Sequence, residues 1–404
     1  MEKIDSELLT LKPFSYNNDK YIACVGENGG TDDESILDGF KTTAELIFDN
    51  IIEQHGTEDE LIYPLVFSIR HCVELSLKIS INEIIKIYRR KKEDAPVQTV
   101  ELHTHDIETI SKIVERLYVV DRRIEPLFQV ALQYSSDYYF DDKGDAFRYE
   151  KGLDDNSILV SKKISQISIG VLREKFKRMM FLFDNAIAFL KGIVAEYSVG
   201  TFTKELSRDD IAQVAQSLLP RAKWSDPEFD DCRDAIKEKY QISSNKLSNV
   251  IKIIEVHPLF SSYIGVSIPL GTIKESELIC YSNLVKWSCK QEMRDAAEGF
   301  DVSELLRKLP HEEHERTQIA EAISDEALYS LVAFGDMVQC ADIYCENYMK
   351  HYEHFKNDDE IKKDYIIHKV EKYNFARLII KGMEFCGQTE YLKVLRPLIN
   401  EIIV

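Results

Sequence analysis

The segment from Tyr63 to Lys92 constrains this chain more than any other. Apolar residues cover so much of its circumference at helical spacing that a helix here has no fully solvated face. Such a helix must be central, with other elements packed around it. The flanking sequence supplies candidates. Ile36 to Gln54 follows an acidic Asp32-Asp33-Glu34-Ser35 start and sets Leu37, Phe40, Ala44, Ile47 and Ile51 on one side. Ile107–Val119 is amphipathic behind a His105-Asp106 start, Arg123–Tyr134 forms another helix, and Ser165–Tyr197 gives one long helix or two joined ones. With only 16 Gly and 10 Pro among 404 residues, an all-β chain full of tight turns is disfavoured. The expected fold class is mainly α, beginning with a helical bundle.

The pattern breaks around Ser198-Val199-Gly200-Thr201, and Ser207-Arg208-Asp209-Asp210 carries the chemistry of a new helix start. The chain is therefore expected to hold two domains, residues 1–200 and 201–404. The second is read as helices at Asp209–Leu219, Asp231–Tyr240, Asn245–Glu255, Ser276–Cys289, Val302–Leu309, His314–Ile323, Asp325–Tyr352, Asp358–Cys386 and Thr389–Ile403. Val266 to Ile268 is read as a possible short strand. The helix pair around Gln241-Ile242-Ser243-Ser244 mimics a helix-turn-helix, with Lys246, Asn249 and Lys252 towards a groove. Its local charge is not strongly basic, which favours an ordinary helical hairpin. Leu398, Ile399, Ile402, Ile403 and Val404 are too apolar to hang in water and are expected to pack onto the body or a partner.

Charge narrows the function classes. The formal net charge is -19, whereas a protein that coats DNA needs cations for its phosphates. No basic-then-apolar leader opens the sequence, and the most apolar long stretch, Met179–Leu190, is interrupted by Asp184 and Asn185, so neither a signal peptide nor a membrane span is expected. The 8 cysteines form no CxxC pair and are read as reduced, buried thiols of a cytoplasmic protein. No metal site and no cofactor are expected. Gly26-Glu27-Asn28-Gly29-Gly30 is a turn rather than a P-loop, because no Gly-Lys-Ser/Thr follows. His311/His314 and His351/His354 have metal-ligand spacing without an evident third ligand.

Within the central segment, Arg70, His71, Glu74 and Lys78 share one stripe through i, i+3, i+4 and i+8 spacing. Charge inside an apolar helix is costly unless paired. One account of the stripe is a surface face with routine ion pairs. The other is a site, in which Arg holds phosphate, His moves a proton and Glu orients either. Two further segments bear on it. Glu101-Leu102-His103-Thr104-His105-Asp106-Ile107 sets an imidazole and a carboxylate at a helix start, where His105 is either a cap or a reactive group. The loop Asp137 to Tyr149 carries Arg148 among aromatics. Arg89-Arg90-Lys91-Lys92 is the one compact basic run, suited either to the helix C-terminus or to an RNA backbone.

The ordered set of Cys24-Val25-Gly26-Glu27-Asn28-Gly29-Gly30-Thr31-Asp32, Tyr63-Pro64, Arg70-His71, Glu74-Leu75, Leu77-Lys78, His105-Asp106-Ile107 and Phe147-Arg148-Tyr149 resembles HEPN-like prokaryotic helical proteins of defence and toxin systems. The resemblance covers about residues 20 to 155. It implies a dimerising helical bundle, and either a metal-independent ribonuclease or a relative that binds RNA, nucleotides or partner proteins. Active members carry Arg, four to six residues, then His. Here Arg70 and His71 are adjacent, which departs from that pattern. A literal match, Arg307 to His314, contains Pro310, which breaks the helix that the motif needs.

The resemblance therefore implies an RNA-cleaving or RNA-binding effector. His71 or His105 would serve as base or acid, Arg70 or Arg148 would steady the phosphorane charge, and Glu74 would orient either group. Lys78, Arg89, Arg90, Lys91 and Lys92 would follow the RNA. The alternative is a non-catalytic adaptor subunit bound to another protein of the same system.

Overall fold

The computed structural model describes residue 14 and residues 20–151, 157–297, 314–358 and 361–403. Among them every regular element is helical and no strand occurs. The chain divides into two compact units, Met1–Val194 and Ala195–Val404.

The N-terminal unit is built round the expected central helix. Helix α1, Asp33–Ile52, begins where the Asp32 carboxylate accepts the Ser35 N–H. Helix α2, Glu58–Lys91, starts five residues before the apolar pattern does, where the acidic first turn of Glu58, Asp59 and Glu60 suits a helix N-terminus. Pro64 sits inside its second turn, and the Ser68 hydroxyl donates to the Pro64 carbonyl at 2.8 Å. Ile69, Cys72, Val73, Leu77, Ile84 and Ile87 of α2 are fully buried. Helix α3, Ile107–Leu117, packs on α2, and α4, Glu125–Ser135, packs in turn on α3. Helix α5, Ile169–Ser198, is one continuous helix. An ion-pair seam ties α1 to α5: Glu34 with Lys191, Lys41 with Asp184, and Asp49 with Arg173, each at 2.5 Å. Because rising numbers on α1 meet falling numbers on α5, the two run antiparallel, with Phe48 packed on Phe176 beneath the seam.

The C-terminal unit holds two buried clusters. One is formed by α6, Arg208–Ser217, α7, Glu228–Tyr240, α8, Ser244–Val256, and α9, Pro258–Tyr263. A capping box between Ser207 and Asp210 starts α6, as the sequence chemistry predicts. Between α7 and α8, Gln241 takes a left-handed conformation, and Lys246 is held by Glu205 at 2.6 Å. The other cluster joins α10, Glu275–Ala297, α11, Asp325–Gln339, α12, Tyr348–Asn357, α13, Lys363–Val370, α14, Tyr373–Phe385, and α15, Thr389–Asn400. Gly382 lets α14 lie directly on α11, since a Cβ there would meet the Phe334 carbonyl oxygen at 2.0 Å. Ile399 is fully buried and Ile402 packs on the same cluster.

Three expectations are corrected. Val266 to Ile268 is not a strand. The buried Gln388 amide serves this segment instead, donating to the Ile268 carbonyl at 3.0 Å and accepting the Leu270 N–H at 2.8 Å. The expected helix Asp325–Tyr352 breaks after Gln339, where Ala341 is left-handed and Asp342 accepts the Tyr344 N–H and the Asn347 amide. The expected helix Asp358–Cys386 breaks at Glu371, whose buried carboxylate is tied to Arg316 at 2.7 Å and to His368 at 3.0 Å. Helical periodicity continues through both breaks; side-chain ties decide them. Val302–Leu309, and Arg307 to Glu313 of the literal Arg/His match, lie outside the described residues.

Candidate active site around His105

Helix α2 delivers Arg70, His71, Glu74 and Lys78 to one side of the N-terminal unit. The start of α3 delivers His105. Glu74 is the hub. Its side chain is 5% exposed; Oε1 lies 2.8 Å from His105 Nδ1 and accepts from Lys78 Nζ at 2.9 Å, while Oε2 lies 3.4 Å from Arg70. Burial opposes ionisation of Glu74, but the hydrogen bonds from Lys78 and His105 outweigh it and hold the carboxyl below its usual range. Glu74 is thus a fixed buried anion.

His105 does not cap α3. Asp106 does, accepting the Glu108 and Thr109 N–H groups at 3.2 Å each. The cap leaves His105 free to turn towards Glu74. Its Nδ1 is anchored there while 68% of its side chain is exposed. A carboxylate on Nδ1 sets the ring's orientation and leaves Nε2 as the nitrogen available to a ligand.

Arg70 is buried and held by its own chain. One guanidinium nitrogen donates to the His105 carbonyl at 2.7 Å and the Asp141 carbonyl at 2.9 Å, and Nε lies 3.2 Å from Asp141 Oδ2 in an ion pair. Asp141 also accepts the Asp145 and Ala146 N–H groups at 2.9 and 3.1 Å, which shapes the loop over the guanidinium. Gly144 closes this loop at φ +74°, and a Cβ there would meet the guanidinium at 2.8 Å. Arg70 therefore clasps the loop and the α3 entry together.

His71 and Arg148 form an adjoining aromatic patch. The His71 ring meets Phe40 edge-on at 4.4 Å and stacks with Phe67 at 6.2 Å. Burial lowers its pKa; Glu74 pulls the other way, and Arg70 and Lys78 add to the lowering. The exposed Arg148 guanidinium lies over Phe67 at 5.5 Å and Tyr149 at 5.1 Å, with Asp145 at 3.9 Å. The structure thus links Arg70, Glu74, Lys78 and His105 directly, and joins His71 to Arg148 through Phe67.

The basic run does not act as one patch. Lys91 turns inward, 7% exposed, and donates to the Val120 carbonyl at 3.0 Å. Arg89 faces a groove rich in carboxylates, and Arg90 and Lys92 are exposed at the end of α2. Sequence reading missed Asp141 and Phe67. The Asp141-x-x-Gly144 spacing is a turn signal for the first; Phe67, one turn before His71, reads only as another core residue.

The C-terminal unit brings together His257, Cys345 and Glu346, with donor atoms within 4.8 Å of one another. These residues do not fit a metal. His257 Nδ1 accepts the Phe260 N–H at 3.2 Å, which places the ring proton on Nε2, facing Glu346 at 2.9 Å. Both Glu346 oxygens are taken by Arg208, at 2.7 and 3.1 Å. Burial pushes the Cys345 thiol up to about 12, and Glu346 adds to the effect. His351 is likewise engaged on both nitrogens, by Asp336 at 3.0 Å and Asp342 at 3.3 Å. Among the described residues no helix is long and apolar enough to cross a membrane. Comparison with protein-family models, with curated proteins and with solved structures gives no match for this chain.

Proposed function

We propose that the N-terminal unit is an RNA-cleaving module of a prokaryotic defence or toxin system, with His105 at its centre. The observation that carries this reading is the solvent-facing His105 ring anchored through Nδ1 to the buried Glu74 carboxylate. The order of segments that resembles HEPN-like proteins supports it. In metal-independent cleavage the 2′-oxygen bonds to phosphorus as the phosphorus–5′-oxygen bond breaks. The 2′-hydroxyl proton passes to an imidazole, and the leaving oxygen takes a proton from a second acid or from water. His105 Nε2 is the exchanging atom and Glu74 orients it. His71, held towards its neutral form, is the second imidazole. Arg148 and Lys78 supply charge for the phosphate, whereas Arg70 acts by positioning the loop and His105.

Purified full-length protein should degrade total RNA in EDTA and leave 2′,3′-cyclic phosphate ends. His105→Ala should lower this by about 10²- to 10⁴-fold, and changing His71 to Ala as well should abolish it. Cleavage that persists in the double variant removes the site from consideration.

One observation favours a second reading, a non-catalytic adaptor. The Arg70 guanidinium beside Glu74 is spent on backbone carbonyls, and the chain as a whole carries -19. Stable co-purification with a neighbouring gene product, without nuclease activity, would support that reading.

A further inference from the structure

A groove of about 740 Å³ runs along the C-terminal half of α2, lined by none of the His105 cluster. Its walls carry Asp32, Asp33, Glu34, Glu83, Glu93 and Asp94, against Lys86 and Arg89 as the lining cations. Lys86 is already bound to Glu83 at 2.6 Å, and Glu34 is held from outside the lining by Lys191 at 2.5 Å. Asp33 and Asp94 stand exposed. The groove also reaches the last turns of α2, where the helix presents its carbonyl end and its partial negative charge. Six lining carboxylates against two lining cations leave the groove's charge negative. Between the carboxylates the lining is apolar: Ile79, Ile85, Val97 and Leu102, with the last three only partly buried.

We infer that this groove docks a short basic, amphipathic segment of a partner protein, with Lys or Arg side chains on the rim and aliphatic side chains on the floor. Charge complementarity selects the occupant. A nucleic acid or an acidic peptide would set its own charge against the carboxylates, while a bare polycation would leave the apolar floor wet. Length agrees. Ile79 to Arg89 spans about 15 Å at the helical rise, which an extended peptide of four or five residues covers. The partner class is defined by this chemistry and does not rest on ribonuclease activity.

The test uses the full chain and three fluorescein-labelled peptides, of alternating Lys and Leu, alternating Lys and Ser, and alternating Glu and Leu, read by fluorescence anisotropy. The Lys/Leu peptide should bind, weaken at least about tenfold between 50 and 300 mM salt, and exceed the other two by about tenfold or more. The double variant Asp33→Lys, Asp94→Lys, checked for folding by circular dichroism, should weaken it about tenfold further. Two results would overturn the proposal. One is Lys/Leu binding unchanged in the double variant. The other is equal binding of Lys/Ser, which would mean diffuse attraction to an acidic protein. His105→Ala should leave peptide binding intact, so failure here and failure of the ribonuclease reading are told apart.

Discussion

Two clusters in this chain are built from the same trio of side chains. In the N-terminal unit Arg70, Glu74 and His105 meet; in the C-terminal unit Arg208, Glu346 and His257 do. Both arginines are buried and both carboxylates are held below their usual range by surrounding donors, against the opposing effect of burial. The imidazoles differ. His257 is buried, stacked on Phe260 at 3.8 Å, with Nδ1 taken by a backbone N–H and Nε2 by Glu346. His105 spends one nitrogen on its carboxylate and turns the rest of the ring to solvent. Reactivity depends on a spare nitrogen with access, and residue type alone does not confer it. The C-terminal trio bolts α6 to α9 and to the segment before α12; the N-terminal trio keeps its imidazole mostly in solvent.

The contrast can be broken experimentally. The largest expected effect is on activity. His105→Ala should lower RNA cleavage by about 10²- to 10⁴-fold in an EDTA gel assay while shifting stability by less than about 1 kcal/mol, because the ring is mostly exposed. Next is Arg208→Ala, which strands a buried carboxylate and should cost about 3–5 kcal/mol in urea unfolding. Cleavage per folded molecule should stay at the wild-type level. His257→Ala follows, at about 1–3 kcal/mol, since the Phe260 N–H and Glu346 each lose a partner. If His257→Ala silences cleavage and His105→Ala does not, the two clusters have been assigned the wrong way round.

A smaller, pH-dependent effect sharpens the same point. His351 is raised above the ordinary imidazole value by its hydrogen bond to Asp336, with burial opposing and Asp342 assisting. Its folded pKa exceeds its unfolded one, so the stabilisation is fully present below the unfolded value and is lost as pH rises through the folded value. Asp336 is depressed to about 2, where hydrogen bonds from His351 and Lys369 overcome burial; its stabilisation is lost as pH falls towards that value. Urea midpoints of the wild type and His351→Asn should therefore differ most near pH 5–6 and converge in alkali. A constant gap across pH would show that His351 is held by packing rather than charge. Smallest of all, native Cys345 should resist thiol reagents that label the exposed Cys24, because its thiol is buried and pushed up to about 12.

Much of the fold was legible before any coordinates. The apolar circumference of Tyr63–Lys92 required a central helix, and α2 is that helix. The acidic starts of α1 and α6 announced their caps. The breaks at residues 340–347 and at Glu371 were not legible, because the local pattern there continues and only distant partners interrupt it. The same holds at the site. The stripe of Arg70, His71, Glu74 and Lys78 follows from helical spacing, yet spacing cannot say whether Arg70 faces a ligand or a loop carbonyl.

Helical class, the central element and the stripe on it are local properties, set by side-chain periodicity and caps within a few residues of one another. Which nitrogen of each histidine is occupied, and whether each arginine is spent, depends on groups tens of residues away, as with Arg70 and Asp141 or His257 and Glu346. Hydrogen-bonding capacity is finite and is allotted only when the chain closes on itself, so the difference between His105 and His257 belongs to the tertiary structure.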